Sequence, residues 1–90
     1  MKFEWDDDKS KTNKEKHGID FEMAKGIWLD ENRIEIQAPY PLESRWVIIG
    51  KLNNKVWTAI YTMRSGKIRI ISVRHARKRE VELYEEEKAC

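Results

Sequence analysis

Cysteine is almost missing from this sequence: the only one is Cys90, the last residue, and a lone thiol cannot close an internal disulfide. The fold must rest on packing and hydrogen bonds, and nothing calls for an oxidising compartment, so a cytoplasmic address is the expectation. No apolar run approaches the roughly 20 residues that a membrane helix needs. The opening Met1 to Asp8 is acidic where a signal peptide would be basic and then apolar, so no membrane association is expected either. Histidine is scarce, with only His17 and His75. Two imidazoles and one thiol show no ligand spacing, so neither a metal nor a cofactor is expected. Repeats, low-complexity linkers and breaks in composition are missing too. Ninety residues suit one core, and the chain reads as a single domain, 1–90.

Charge of one sign is missing from one stretch. From Arg64 to Arg79 there are seven Lys or Arg and no acid, although the whole chain carries a net charge of only +2. Glu80, Glu82, Glu85, Glu86 and Glu87 follow directly. A cationic field beside an anionic one marks a surface that attracts polyanions on one side and repels them on the other.

What is present reads as short alternating elements. Phe3-Glu4-Trp5 alternates like a short strand. Asp6, Asp7 and Asp8 supply a helix cap and acids for the positive helix end, predicting a helix from about Asp7 to His17 that stops at Gly18. Asp20 caps a second helix in which Phe21, Ala24, Ile27 and Trp28 share a face, so a helical hairpin is expected. Ile34 and Ile36 alternate in a strand that ends before Pro39 and Pro41. Trp46 to Ile49 and Val56 to Met63 are apolar runs joined by a turn at Leu52-Asn53-Asn54-Lys55. Ser65-Gly66 turns the chain into Lys67 to Arg74, making three consecutive antiparallel strands. Ala76, Glu80, Leu83, Tyr84 and Glu87 then recur at helical spacing. The expected fold is α+β: a mainly antiparallel sheet of about four strands, an N-terminal helical pair and a C-terminal helix. Trp5, Trp28, Trp46 and Trp57 read as core or interface residues.

Three separated motifs carry a likeness: Phe3-Glu4-Trp5-Asp6, Lys16-His17-Gly18-Ile19-Asp20-Phe21-Glu22, and Ile68 to Ala76 continued by Arg79-Glu80 and Tyr84. In order and spacing they resemble the BrnT family over nearly the whole chain. The resemblance implies a RelE-like fold and a metal-independent endoribonuclease toxin of a type II toxin-antitoxin system that inhibits translation. It further implies neutralisation in a hetero-oligomer by a BrnA-like antitoxin with a ribbon-helix-helix part, through which alone DNA would be contacted. Two positions depart from the family pattern: His75 stands where a second basic residue follows the strand arginine, and Arg77 where a Ser or Thr opens the last helix. The first bears on proton transfer, the second on capping.

Cleaving RNA without a metal requires activating a ribose 2′-OH, stabilising charge on phosphorus and protonating the leaving oxygen. Arginine suits the middle task, because its planar fork grips two phosphate oxygens and stays charged. Arg74 ranks first, inside the motif, followed by Arg64 beside the Ser65-Gly66 turn and Arg69. Arg69 and Arg74 are five residues apart, so strict alternation sets them on opposite faces, while a bulge at Ile70-Ile71 would unite them. That alternative stays open. His75 is the preferred proton carrier, with His17 either a second candidate or a helix-end cap. Lys67, Arg77, Lys78 and Arg79 would position the RNA backbone, although the last three also read as a solvated helix face paired with Glu80 and Glu82. Tyr61 and Tyr84 are candidates for stacking or hydrogen bonding, with a core reading beside it. The rival to an RNA-cleaving enzyme is a module that holds RNA or an acidic partner on the same surface without cutting.

Overall fold

A computed structural model describes residues 1–41 and 44–89, so Cys90 lies outside the described residues. The elements run β1 (Phe3–Glu4), α1 (Asp7–His17), α2 (Phe21–Ala24), a 3-10 turn (Lys25–Leu29), β2 (Ile34–Gln37), β3 (Arg45–Leu52), β4 (Lys55–Arg64), β5 (Lys67–His75) and α3 (Lys78–Ala89). The fold is α+β as expected, but the sheet has five strands in the order β1-β5-β4-β3-β2. It is mixed: β1 lies parallel to β5, and the other pairs are antiparallel. The expectation of about four mainly antiparallel strands fell one short: Phe3-Glu4 alternates like a strand, but its parallel pairing with β5, over sixty residues away, has no local signal. No helix among the described residues is long and apolar enough to cross a membrane.

The turns follow local chemistry. Asn53 and Asn54 both take positive φ, 53° and 65°, and close the β3–β4 hairpin, while Ser65 and Gly66 at 52° and 77° close β4–β5. Two successive left-handed residues give the turn whose twist matches the flanking strands.

α1 is polar throughout, with no apolar stripe to bury. Its ends are capped as the sequence predicts: Asp6 Oδ1 accepts from the N–H groups of Asp8 and Lys9, and Gly18 at φ 77° closes the last turn. Two buried polar side chains fasten it. Ser10 Oγ accepts from Phe21 N at 2.9 Å, Asn13 Nδ2 donates to Ile19 O at 2.8 Å, and Asn13 Oδ1 accepts from Val73 N at 3.1 Å. β1 pairs only with Ile68 and Arg69, so the Asn13 amide satisfies the β5 edge beyond it.

The expected helical pair is only partly present, since α2 is one turn and continues as the tighter 3-10 winding. That segment seats buried Ile27 and Trp28 on the sheet. Gly50 makes the approach feasible: a Cβ there would lie 2.9 Å from Ile27 Cγ2 and 3.2 Å from its carbonyl oxygen. The core forms between Ile19, Phe21, Ala24, Ile27 and Trp28 on one side and Ile48, Trp57, Ala59, Tyr61, Ile68, Ile70 and Val73 of the sheet on the other. Trp28 meets Phe3 and Tyr61 edge-on, with ring centroids 5.1 and 5.4 Å apart. On the opposite sheet face α3 covers one end only. There Tyr84 and Ile49 are buried, and Asp30 Oδ2 accepts from both Tyr84 Oη and Lys51 N.

Candidate functional site

The other end of that second face is open, and its floor follows from strand register. Counting back from the Asn53-Asn54 turn pairs Arg45 with Thr62, and Thr62 in turn stands opposite Arg69, which stands opposite Glu4. Arg45, Thr62, Arg69 and Glu4 thus form one cross-strand row on four strands. Arg64 and Lys67 form the next row beside the turn. Lys9 of α1 walls the row on the β5 side, and Lys9, Arg45, Arg64 and Arg69 line a cleft of about 330 Å³ with Ser44, Thr62 and Ile71. Thr62 Oγ1 donates to Ser44 O at 2.6 Å, holding Ser44 against the floor.

Charge in this cleft is only partly compensated. Arg69 Nη1 reaches Glu4 Oε2 at 3.1 Å, with the two side chains 31% and 27% exposed. Arg45, Arg64, Lys67 and Lys9 are exposed and make no ion pair among the described residues. A second depression, of about 320 Å³, continues past Lys9 and Ile71 between α1 and β5 and is lined by Asp8, Thr12, Lys16, His17 and Ser72. Unpaired guanidinium and ammonium groups in a groove bind phosphates, which the Arg fork grips through two oxygens. Among the described residues no group of three or more His, Cys, Asp or Glu is placed to hold a metal ion.

β5 carries the bulge that the Ile70-Ile71 step permits. Tyr61 faces Ile70 and Ile60 faces Ser72, leaving Ile71 without a partner on β4. Arg69 and Arg74 therefore share a face, opposite Thr62 and Thr58. Four positions of β4 separate their rows, or about 13 Å at strand rise. Arg74 is already engaged: Nη1 and Nη2 donate to Glu80 Oε1 and Oε2 at 2.7 and 2.9 Å. Glu80 also accepts from Thr58 Oγ1 and from Arg77 N, so it serves as half of a capping box at the start of α3, where Arg77 has no hydroxyl to reciprocate. The Arg74 hydrogen bonds hold the Glu80 carboxyl down at about 2, against the opposing effect of burial. The first-ranked arginine thus joins β5 to α3 and presents no free fork.

Other expected site residues are redistributed. His75 follows Arg74 and so points to the core face, stacked on Trp57 with ring centroids 4.2 Å apart; strand alternation separates it from the arginines beside which it was expected. Tyr61 is also on the core face, buried between Trp28 and Trp46 with its hydroxyl donated to Glu35. Burial first and Glu35 second push its ionisation far above the usual phenol value. Tyr84 is buried under α3, raised to about 12 by burial and by Asp30. His17 ends α1 and faces the second depression. Arg77, Lys78 and Arg79 are exposed at the start of α3, the end of the face away from the cleft, and Arg79 pairs with Glu82 at 3.6 Å. Arg64, Lys67 and Arg69 stay together. Arg45, Lys9 and Glu4 went unrecognised in the sequence, although the Asn53-Asn54 turn already placed Arg45 opposite Thr62.

A search of curated proteins finds no match to this chain. The family model described as the ribonuclease toxin, BrnT, of type II toxin-antitoxin systems matches residues 5–80, and the chain belongs to that family.

Proposed function

We propose that this chain is a cytoplasmic endoribonuclease toxin that inhibits translation by cutting single-stranded RNA laid across the cleft of Arg45, Arg64, Arg69 and Lys9. The observation that carries the reading is the cross-strand row in which Arg45 and Arg69 flank Thr62 in an open groove. Two guanidinium groups converge there on one phosphate, and Arg64 and Lys67 extend the cationic track. The 2′-oxygen attacks the adjacent phosphorus, the 5′-oxygen leaves, and a 2′,3′-cyclic phosphate remains, with no metal required. Arg74 has a different task, holding α3 in place through Glu80. His17 and the second depression lie along the path of the strand beyond Lys9. A BrnA-like antitoxin, with an acidic or amphipathic segment over the cleft and a ribbon-helix-helix part for DNA, accounts for neutralisation by charge masking.

Expression of wild type and Arg69→Ala with and without the neighbouring gene product tests this. Arrest and RNA cleavage should require Arg69, and the neighbouring product should abolish both. A second reading has one observation in its favour: Arg74 is closed by Glu80 and His75 faces away, which leaves the cleft without either. In it the cleft holds RNA without cutting. Purified protein with RNA in EDTA separates the two, since intact RNA with salt-sensitive binding supports the second.

A further inference from the structure

The cleavage reading needs a group that removes the 2′-OH proton, and this inference rests on that reading. Neither histidine stands on the cationic row: His75 is on the other face, and His17 is two turns of α1 beyond Lys9. The carboxylates on and against the sheet divide clearly. Both oxygens of Glu80 are taken by Arg74, Thr58 and Arg77 N, and Glu35 sits on the core face, held by Tyr61 and Arg33. Among the described carboxylates Glu4 alone is on the row itself, directly opposite Arg69. Only its Oε2 is engaged, by Arg69 Nη1 at 3.1 Å, and its Oε1 has no partner among the described residues.

We infer that Glu4 is the general base of the cleavage reaction. The Arg69 guanidinium meets Glu4 through Nη1 and keeps Nε and Nη2 for a phosphate oxygen. One planar group thus holds the carboxylate beside the phosphate whose neighbouring 2′-OH must lose its proton. The 2′-OH proton passes to Glu4 Oε1 as the bond from the 2′-oxygen to phosphorus forms. The bond from phosphorus to the 5′-oxygen breaks, that oxygen takes a proton from solvent water at the open rim, and Glu4 returns its own proton to solvent. A salt bridge that merely joined β1 to β5 would need neither the free oxygen nor a place on the cationic row.

The test uses the full chain with two versions of one RNA oligonucleotide, one with the natural 5′-oxygen at the scissile position and one with sulfur there, a leaving group that needs no proton. Glu4→Gln retains an acceptor for Arg69 and should slow cleavage of both substrates by a similar factor, of order 10²–10⁴. Glu4→Asp, which keeps a shorter carboxylate, should fall between it and wild type, and melting curves of all three should match. Unslowed cleavage by Glu4→Gln would overturn the proposal, as would slowing of the oxygen substrate alone, which would make Glu4 the acid. If Glu4→Gln does not fold, full activity of Glu4→Ala or a dead but folded Glu4→Asp overturns it in the same way. Wild type that cuts neither substrate would overturn the cleavage reading itself, a result distinct from each of these.

Discussion

Arg69 and Arg74, five positions apart on β5, project from the same face of the sheet because Ile71 stands opposite nothing on β4. Without that extra residue in the ladder, parity would send one of them into the core. The bulge also divides the labour. Arg69 stays at the open end with Arg45 and Arg64, whereas Arg74 enters the reach of Glu80 and α3.

The cations of the open end should be separable from those of α3 by salt. Each phosphate contact adds about 0.7 to the slope of log affinity against log salt for a single strand. Arg45→Ala and Lys9→Ala should therefore weaken binding of an RNA oligonucleotide and flatten the slope by about that amount each. Arg79→Ala, already paired with Glu82, should leave it unchanged. Fluorescence anisotropy across a salt series measures this, and equal slope changes for Arg79 and Arg45 would contradict the placement of the RNA.

The Arg74–Glu80 joint should make stability depend on pH in the acid range. Glu80 titrates at about 2 in the fold against 4.5 for a free carboxyl, so the stability it supplies is complete above 4.5 and is lost as pH falls through about 2. The depression amounts to roughly 2–3 kcal/mol after allowance for partial exposure. Urea unfolding of wild type and Glu80→Gln should show a gap that closes as pH is lowered through this window. A gap that does not change with pH would dissolve the linkage.

Asn13 ties α1 to both the following loop and the sheet edge. Asn13→Ala strands the Ile19 carbonyl and the Val73 N–H in a buried setting, a loss of about 2–3 kcal/mol. Chemical denaturation gives the magnitude, and hydrogen exchange should show the Val73 amide losing protection more than the Ala59 amide on the neighbouring strand.

His75 faces Trp57, away from the cleft. His75→Ala should leave RNA cleavage unchanged while removing a stacking contact of about 1 kcal/mol. Rate and melting temperature measured on the same preparation check both halves. A lost rate with unchanged stability would return His75 to the chemistry.

Much of the local structure was legible in the residues. Asp6 and Gly18 bracket α1, Asn53-Asn54 and Ser65-Gly66 turn the hairpins, and Arg64, Lys67 and Arg69 stand in adjacent rows at one end of the sheet. Each depends on interactions within a few residues or on a left-handed turn, which short sequences encode directly. α2 was less legible, because its 3-10 continuation is shaped by the close approach of Ile27 to Gly50, remote in sequence.

By itself the sequence determined the caps, the turns and the location of positive charge. Tertiary structure alone decided which arginine is free and which is bound, that neither histidine stands on the cationic row, and that Glu4 reaches Arg69 across 65 positions. The physical reason is parity and pairing. One residue omitted from a ladder reverses the facing of everything after it, and a partner as far away in sequence as Glu4 is from Arg69 is chosen by register rather than by any local preference.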